Sequence, residues 1–179
     1  MKNNKLLAMM LCSLFAALSA ITAQIIVPLG PVPISFTHVA IFTAAGLLGA
    51  KYGTLSQIIY VTLGFIGVPV FAGFASGMRV VLGPTGGFIV GYIACVFLVG
   101  IIIDRFGTSY KVTIPAMYVG WFATYAFGIP WLMHITGMNL TAALIFCSQF
   151  LPGDFIKTII SAIIIKRLRP VTRKVLSIS

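Results

Sequence analysis

The chain of 179 residues has two carboxylates, Asp104 and Asp154, and the second is followed by Lys157 in the run LPGDFIKTIISAIII. Residues three apart share a helix face, so a helix through this run sets a carboxylate beside an ammonium. Such a pair either neutralises itself and stabilises an interior, or offers a ligand a charged acceptor and a charged donor. A desolvated carboxylate suits a ligand with paired N–H groups. Arg79 is a third charge of interest, in the Gly/Pro-rich stretch GVPVFAGFASGMR, which is followed by GPTGGF from Gly83 to Phe88. So many glycines and prolines predict an irregular segment. Pro84 suits the first turn of a helix, and the N–H groups after it can hold an anion. The candidate ligand-binding residues are therefore Asp154, Lys157, Arg79, Thr85 and Gly86. The competing reading is that these glycines serve close helix approach, for which Gly87 and Gly91 have the spacing. No Walker-type GxxxxGK[ST] occurs, and no cofactor is expected.

The elements that must position these residues are membrane helices. Apolar residues make up 60% of the chain and charged residues 8%, and mean hydropathy is +1.11. Apolar runs of about 18 or more residues recur, the signature of membrane-spanning helices. The pattern predicts an all-α integral membrane protein: one domain over residues 1–179, with spans at about 6–27, 36–50, 52–67, 84–103, 112–132 and 140–168, the last broken at Pro152-Gly153. The outer loops are then Pro28–Ser35, the irregular Val68–Gly83 and Met133–Asn139. An ionisable group inside hydrocarbon costs several kcal/mol unless it pairs or serves a function, which returns attention to Asp154 and Lys157. At 1.5 Å per residue, Asp154 lies about 21 Å above Leu168, in the outer half of the membrane.

The net charge of +10 does not indicate nucleic acid. Ten of the twelve basic residues fall at the N-terminus, at Lys51, at Arg105 and Lys111, and in the C-terminal tail. That is the positive-inside pattern of a protein with both termini in the cytoplasm. The first twenty residues resemble a secretory signal peptide, but their apolar run continues to Val27, longer than a signal core, and predicts a retained span.

Other chemistries find little support. Cys12, Cys95 and Cys147 stand alone in apolar runs, without metal or redox spacing. His38 and His134 lie near the outer ends of spans and read as interfacial or packing residues. An enzyme needs a nucleophile, an acid/base pair or a metal set, and neither HExxH nor GxSxG occurs. A channel needs a polar pore lining, which these spans lack.

In the first span Ala16 and Ala20 stand four apart, making a flat face that lets a helix of this or another protein pack closely. Together, AITAQIIVPLGPVPI (Ala20 to Ile34), GFIGVPVFA (Gly64 to Ala72), GPTGGF and LPGDFIK (Leu151 to Lys157) resemble the BioY family, the biotin-specific substrate-binding (S) components of energy-coupling-factor (ECF) vitamin transporters. The resemblance runs across almost the whole chain. It implies six helices in the plasma membrane of a prokaryote, with lipid around them. It also implies an outer gate around Pro28, Pro31 and Pro33, and partners in a coupling transmembrane protein, which meets Ala16 and Ala20, and two ATPase subunits. It carries Asp154 and Lys157 over as ligand-binding residues, and biotin as substrate; another small vitamin is the alternative. Biotin offers two ureido N–H donors to a carboxylate and a valerate carboxylate to a cation. Trp121, Tyr125 and Phe88 can wall an apolar pocket.

Overall fold

The computed structural model describes residues 2–28 and 31–176, except for the side chains of residues 2–4, 173, 175 and 176. Its apolar runs fold as helices: α1 (Lys2–Ala23), α2 (Thr37–Phe65), α3 (Met78–Val81), α4 (Gly86–Phe106), α5 (Tyr110–Thr136), α6 (Leu140–Ser148) and α7 (Leu151–Leu176). Lipid cannot satisfy backbone N–H and C=O groups, so helices are the economical way for an apolar chain to cross it. Among the described residues, three helices are long and apolar enough to cross a membrane, and the bent pair α6–α7 makes a fourth candidate.

The predicted second and third spans both fall within α2. The chain reverses at Gly49, whose φ of 74° and ψ of −175° interrupt the helix. The Cβ of any residue replacing Gly53 would lie 3.0 Å from the Ala44 carbonyl oxygen, so residues 37–48 and 50–65 lie back to back. Only glycine takes that φ without strain, and a Cβ at Gly49 would also strike the Asp104 carboxylate. That carboxylate completes the turn: it accepts from Ala50 N–H at 2.8 Å and from Arg169 Nη2 at 2.7 Å, and Arg169 Nη1 donates to the Gly46 carbonyl.

Several expected boundaries move. α1 ends at Ala23, before Val27, and Ile26–Val27 pairs antiparallel with Ile34–Ser35 as a two-stranded hairpin, β1 and β2. The last two helical segments break at Gln149–Phe150 with a 49° bend. Pro152 and Gly153 instead lie in the first turn of α7, where proline costs nothing because its missing N–H would have had no partner. α4 begins at Gly86, and Pro84 lies in the turn ahead of it. The stretch from 68 to 83 is irregular, as expected, apart from a 3₁₀ turn at Ala72–Phe74 and the short α3.

Glycines set how closely the helices pack. A Cβ at Gly87 would meet the Trp131 Cβ at 2.4 Å, one at Gly91 the Thr124 Cα at 2.9 Å, and one at Gly128 the Phe88 ring at 2.4 Å. α4 and α5 therefore pack with their backbones close, as small residues permit in lipid. The main core gathers Ile41, Phe42, Val96, Val99, Met117 and Ile165 from α2, α4, α5 and α7. Large apolar side chains that remain exposed, such as Phe122 at 76%, suit a lipid-facing surface.

Candidate substrate site

A cavity of about 520 Å³ opens between the β1–β2 hairpin, the 68–85 segment, the ends of α2, α4 and α7 and the middle of α5. Its size falls within the range of small-molecule sites. α7 begins beside it, and an acidic residue in a first helical turn is favoured by the helix dipole; Asp154 holds that position. One turn on, Lys157 Nζ lies 3.2 Å from Asp154 Oδ1, the contact that the three-residue spacing predicts. Both residues are buried, Asp154 5% and Lys157 3% exposed. Tyr125, on α5, donates its hydroxyl proton to Asp154 Oδ2. A carboxylate carries about four lone-pair positions, and these two bonds leave others facing the cavity.

α5 also supplies the cavity's aromatic floor. Trp121 donates its indole N–H to Thr158 Oγ1 at 3.1 Å, and Thr158 donates to the Asp154 carbonyl at 2.8 Å. The indole is thus fixed to the turn of α7 that carries the charges. Tyr125 lies nearly parallel to it on one side, ring centroids 6.0 Å apart, and Lys157 Nζ lies 5.6 Å from its centroid. Phe88 meets Tyr125 edge-on. All three aromatics singled out from the sequence line the cavity.

Arg79 lines the same cavity but is exposed, where Asp154 and Lys157 are buried. The charges therefore sit at different depths: a cation at the mouth, and an acceptor with its counter-charge at the inner end. Thr85 is a lining residue whose hydroxyl is already bonded to the Val80 carbonyl at 3.3 Å. Gly86 departs from expectation. It does not line the cavity, its N–H bonds Gly83 O at 3.1 Å, and a Cβ there would strike the Val81 carbonyl. It is a close-packing glycine, and no anion can use its N–H. Of the gate prolines, Pro31 and Pro33 line the cavity and Pro28 does not; residues 29 and 30 of that loop lie outside the described residues. Ala16 is turned inward, 2% exposed, against Tyr60, Phe71 and Ile89, and Ala20 is half-buried beside them. The small-residue face they form packs within the chain, and Ser13 and Ala17 are the small residues on the exposed side of α1.

Sequence reasoning missed two features. The Tyr125 hydroxyl was legible only as a polar tip that must find a partner once buried; nothing in the spacing pointed to Asp154, 29 residues away. His38 was assigned to packing or the interface. It is 6% exposed, lines the cavity, and stacks on Trp121 with ring centroids 3.9 Å apart. No cluster of three or more His, Cys, Asp or Glu side chains suited to a metal occurs among the described residues.

A multi-pass helical membrane protein with a buried acceptor–cation pair inside a half-open cavity belongs to the solute-binding class. Comparison with known proteins narrows this: residues 1–174 match the BioY family model, and the chain belongs to that family. It is 37% identical over 159 residues to the probable biotin transporter BioY of Pyrococcus horikoshii, covering 89% of this chain and 94% of the relative. It is 36% identical over 156 residues to the biotin transporter BioY of Thermotoga maritima, covering 87% and 92%. Its fold superposes with a TM-score of 0.90 on a 2.1 Å crystal structure of the S-component for biotin from an ECF-type ABC transporter, at 30% identity and covering 95% and 94% of the two chains.

Proposed function

We propose that this chain is a biotin-binding S component of an ECF-type transporter, taking the vitamin from outside and passing it inward with ATP-driven partners. The observation that carries this reading is the buried Asp154, oriented by Tyr125 and balanced by Lys157, at the inner end of a cavity with a cation at its mouth. Asp154 accepts a ureido N–H group, Trp121 and Phe88 flank the apolar ring system, and Arg79 meets the valerate carboxylate. Asp154 enters already desolvated, so the ligand's N–H group replaces few water contacts and the charge-assisted bond keeps much of its strength.

The same reading gives six spans in the plasma membrane with both termini cytoplasmic. Supporting it, Lys51, Asp104 and Arg169 gather around the Gly49 turn, at the end of α2's first arm opposite the cavity. The positive-inside rule assigns that basic end to the cytoplasm. Single cysteines at Lys51 and Ser76, in a variant lacking the three native cysteines, test this with a membrane-impermeant thiol reagent on intact cells. Labelling at position 51 and not at 76 would invert the topology.

The decisive binding experiment is equilibrium binding of radiolabelled biotin to detergent-purified protein without ATP, with desthiobiotin, thiamine and riboflavin as competitors. Biotin is expected to displace the label best; better displacement by thiamine or riboflavin would reassign the ligand. Docking of a coupling transmembrane protein and its ATPase pair is expected on the exposed side of α1. Ala17→Trp should therefore lower biotin uptake in cells while leaving binding by the purified protein intact. Ala16→Trp should damage both, since Ala16 is enclosed. Loss of binding in Ala17→Trp would remove this face from the partner interface.

A further inference from the structure

We infer that His38 is a direct, specificity-determining substrate contact, its Nε2–H donating to the carbonyl oxygen of a cyclic urea held by Asp154; this rests on the biotin reading above. Three observations converge on it. His38 is more than nine-tenths buried and lines the cavity. Its Nε2 is enclosed without a hydrogen-bond partner, and among the described buried side-chain atoms in that condition it is the one whose residue lines the cavity. The other buried polar groups nearby are engaged: Ser35 with Thr37 at 2.8 Å, Thr124 with the Gly120 carbonyl at 3.1 Å, and Trp121 with Thr158. A buried polar atom with no partner is costly, so a ligand that satisfies it gains affinity.

The ring is also held where it can discriminate. It stacks on Trp121 at an interplanar angle of 28°, meets Tyr92 edge-on with centroids 5.0 Å apart, and tilts against Phe42. Three rings therefore surround the imidazole. Trp121 in turn is tied through Thr158 to the main chain of Asp154, so the acceptor and the imidazole share one rigid mount. Lys157 Nζ is placed over the same indole. A cyclic urea has two N–H donors flanking one carbonyl oxygen with two lone pairs. Asp154 takes one of the N–H donors, Lys157 beside it supplies one donor to the oxygen, and His38 supplies the second. With the carboxylate as the acceptor at this end of the cavity, the complementary role for His38 is that of donor.

The test compares biotin with 2-thiobiotin, whose sulfur replaces the urea oxygen and accepts hydrogen bonds weakly, on detergent-purified full-length protein. His38→Phe keeps a stacked ring and removes the nitrogen. It should weaken biotin binding about tenfold to a hundredfold, and the preference for biotin over 2-thiobiotin should shrink severalfold from its wild-type value. A preference as large in His38→Phe as in wild type would overturn the assignment, as would unchanged biotin affinity. Should that variant not fold, ¹⁵N-histidine spectra of the wild-type protein decide the matter, with His134→Gln used for assignment. Biotin should shift the His38 Nε2 resonance, and an unmoved resonance refutes the contact. Failure of wild type to bind biotin at all would instead refute the parent reading.

Discussion

The two carboxylates of this chain are used in opposite ways. Asp104 is 43% exposed and helps tie one corner together: its oxygens take Ala50 N–H at the α2 reversal and Arg169 from α7, and Arg169 continues to the Gly46 carbonyl. Asp154 is buried, and its cation comes from the same helix, one turn away. That ion pair itself joins no two elements; Tyr125, by its hydrogen bond, and Trp121, under the Lys157 ammonium, link it to α5. Arginine, with its planar fork, suits the first task, and lysine, a mobile point charge, the second. A carboxylate that binds elements together is committed to holding them. One whose counter-charge is local keeps acceptor positions for something that arrives.

This contrast can be broken at either end. The largest effect should come from Arg169→Met, which leaves Asp104 and the Gly46 carbonyl without their cation. A loss of about 2–4 kcal/mol is expected, below the full figure for a buried pair because Asp104 is partly solvated, and a thermal melt in detergent reads it. A melt within a degree of wild type would show that the corner carries no load. Next comes Asp154→Asn, which keeps the shape but turns half of a charged acceptor into a donor. Biotin affinity should fall roughly tenfold to a hundredfold, and the melt should fall too, because Lys157 is left buried without its counter-charge. Adding Lys157→Met sharpens the comparison, since a pair that merely stabilises the interior is replaceable. Near-normal affinity in the stable double variant would show that Asp154 is as structural as Asp104. The smallest effect belongs to Tyr125→Phe, which deletes one orienting hydrogen bond: about twofold to tenfold in affinity, measured by competition. A loss as large as that of Asp154→Asn would mean that Tyr125 touches the ligand itself.

How much of this the chain disclosed in advance follows from the range of each interaction. The Asp154–Lys157 contact was legible because three residues on a helix fix the geometry, and the Gly/Pro density of 67–87 was enough to expect an irregular outer segment. Gly91 and Gly87 also announced close packing. Three features were out of reach for one reason: they depend on how helices are rotated and laid against each other. Ala16 has the spacing of an approach face, but spacing does not say whether that face looks inward or outward. Tyr125 finds Asp154 from another helix, and Arg169 finds Asp104 across 65 residues. The break ahead of α7 was misplaced because Pro152-Gly153 reads as a disruptor, and a proline that opens a helix looks the same in a sequence as one that ends it.

The reversal at Gly49 has a consequence for how the protein is made. Residues 37–48 rise only about 18 Å as a helix, against roughly 30 Å of hydrocarbon, and nearly all of them are covered by neighbouring helices. A segment so short is poorly suited to enter a bilayer by itself, so the two arms enter most readily as a single hairpin with Gly49 at the tip. The N–H of Ala50 at that tip meets its carboxylate 54 residues later in the chain. The hairpin is therefore capped only after α4 has been synthesised, and Arg169 locks the corner when the last helix arrives. Assembly of the basic end is thus timed by chain order, from the second helix to the last.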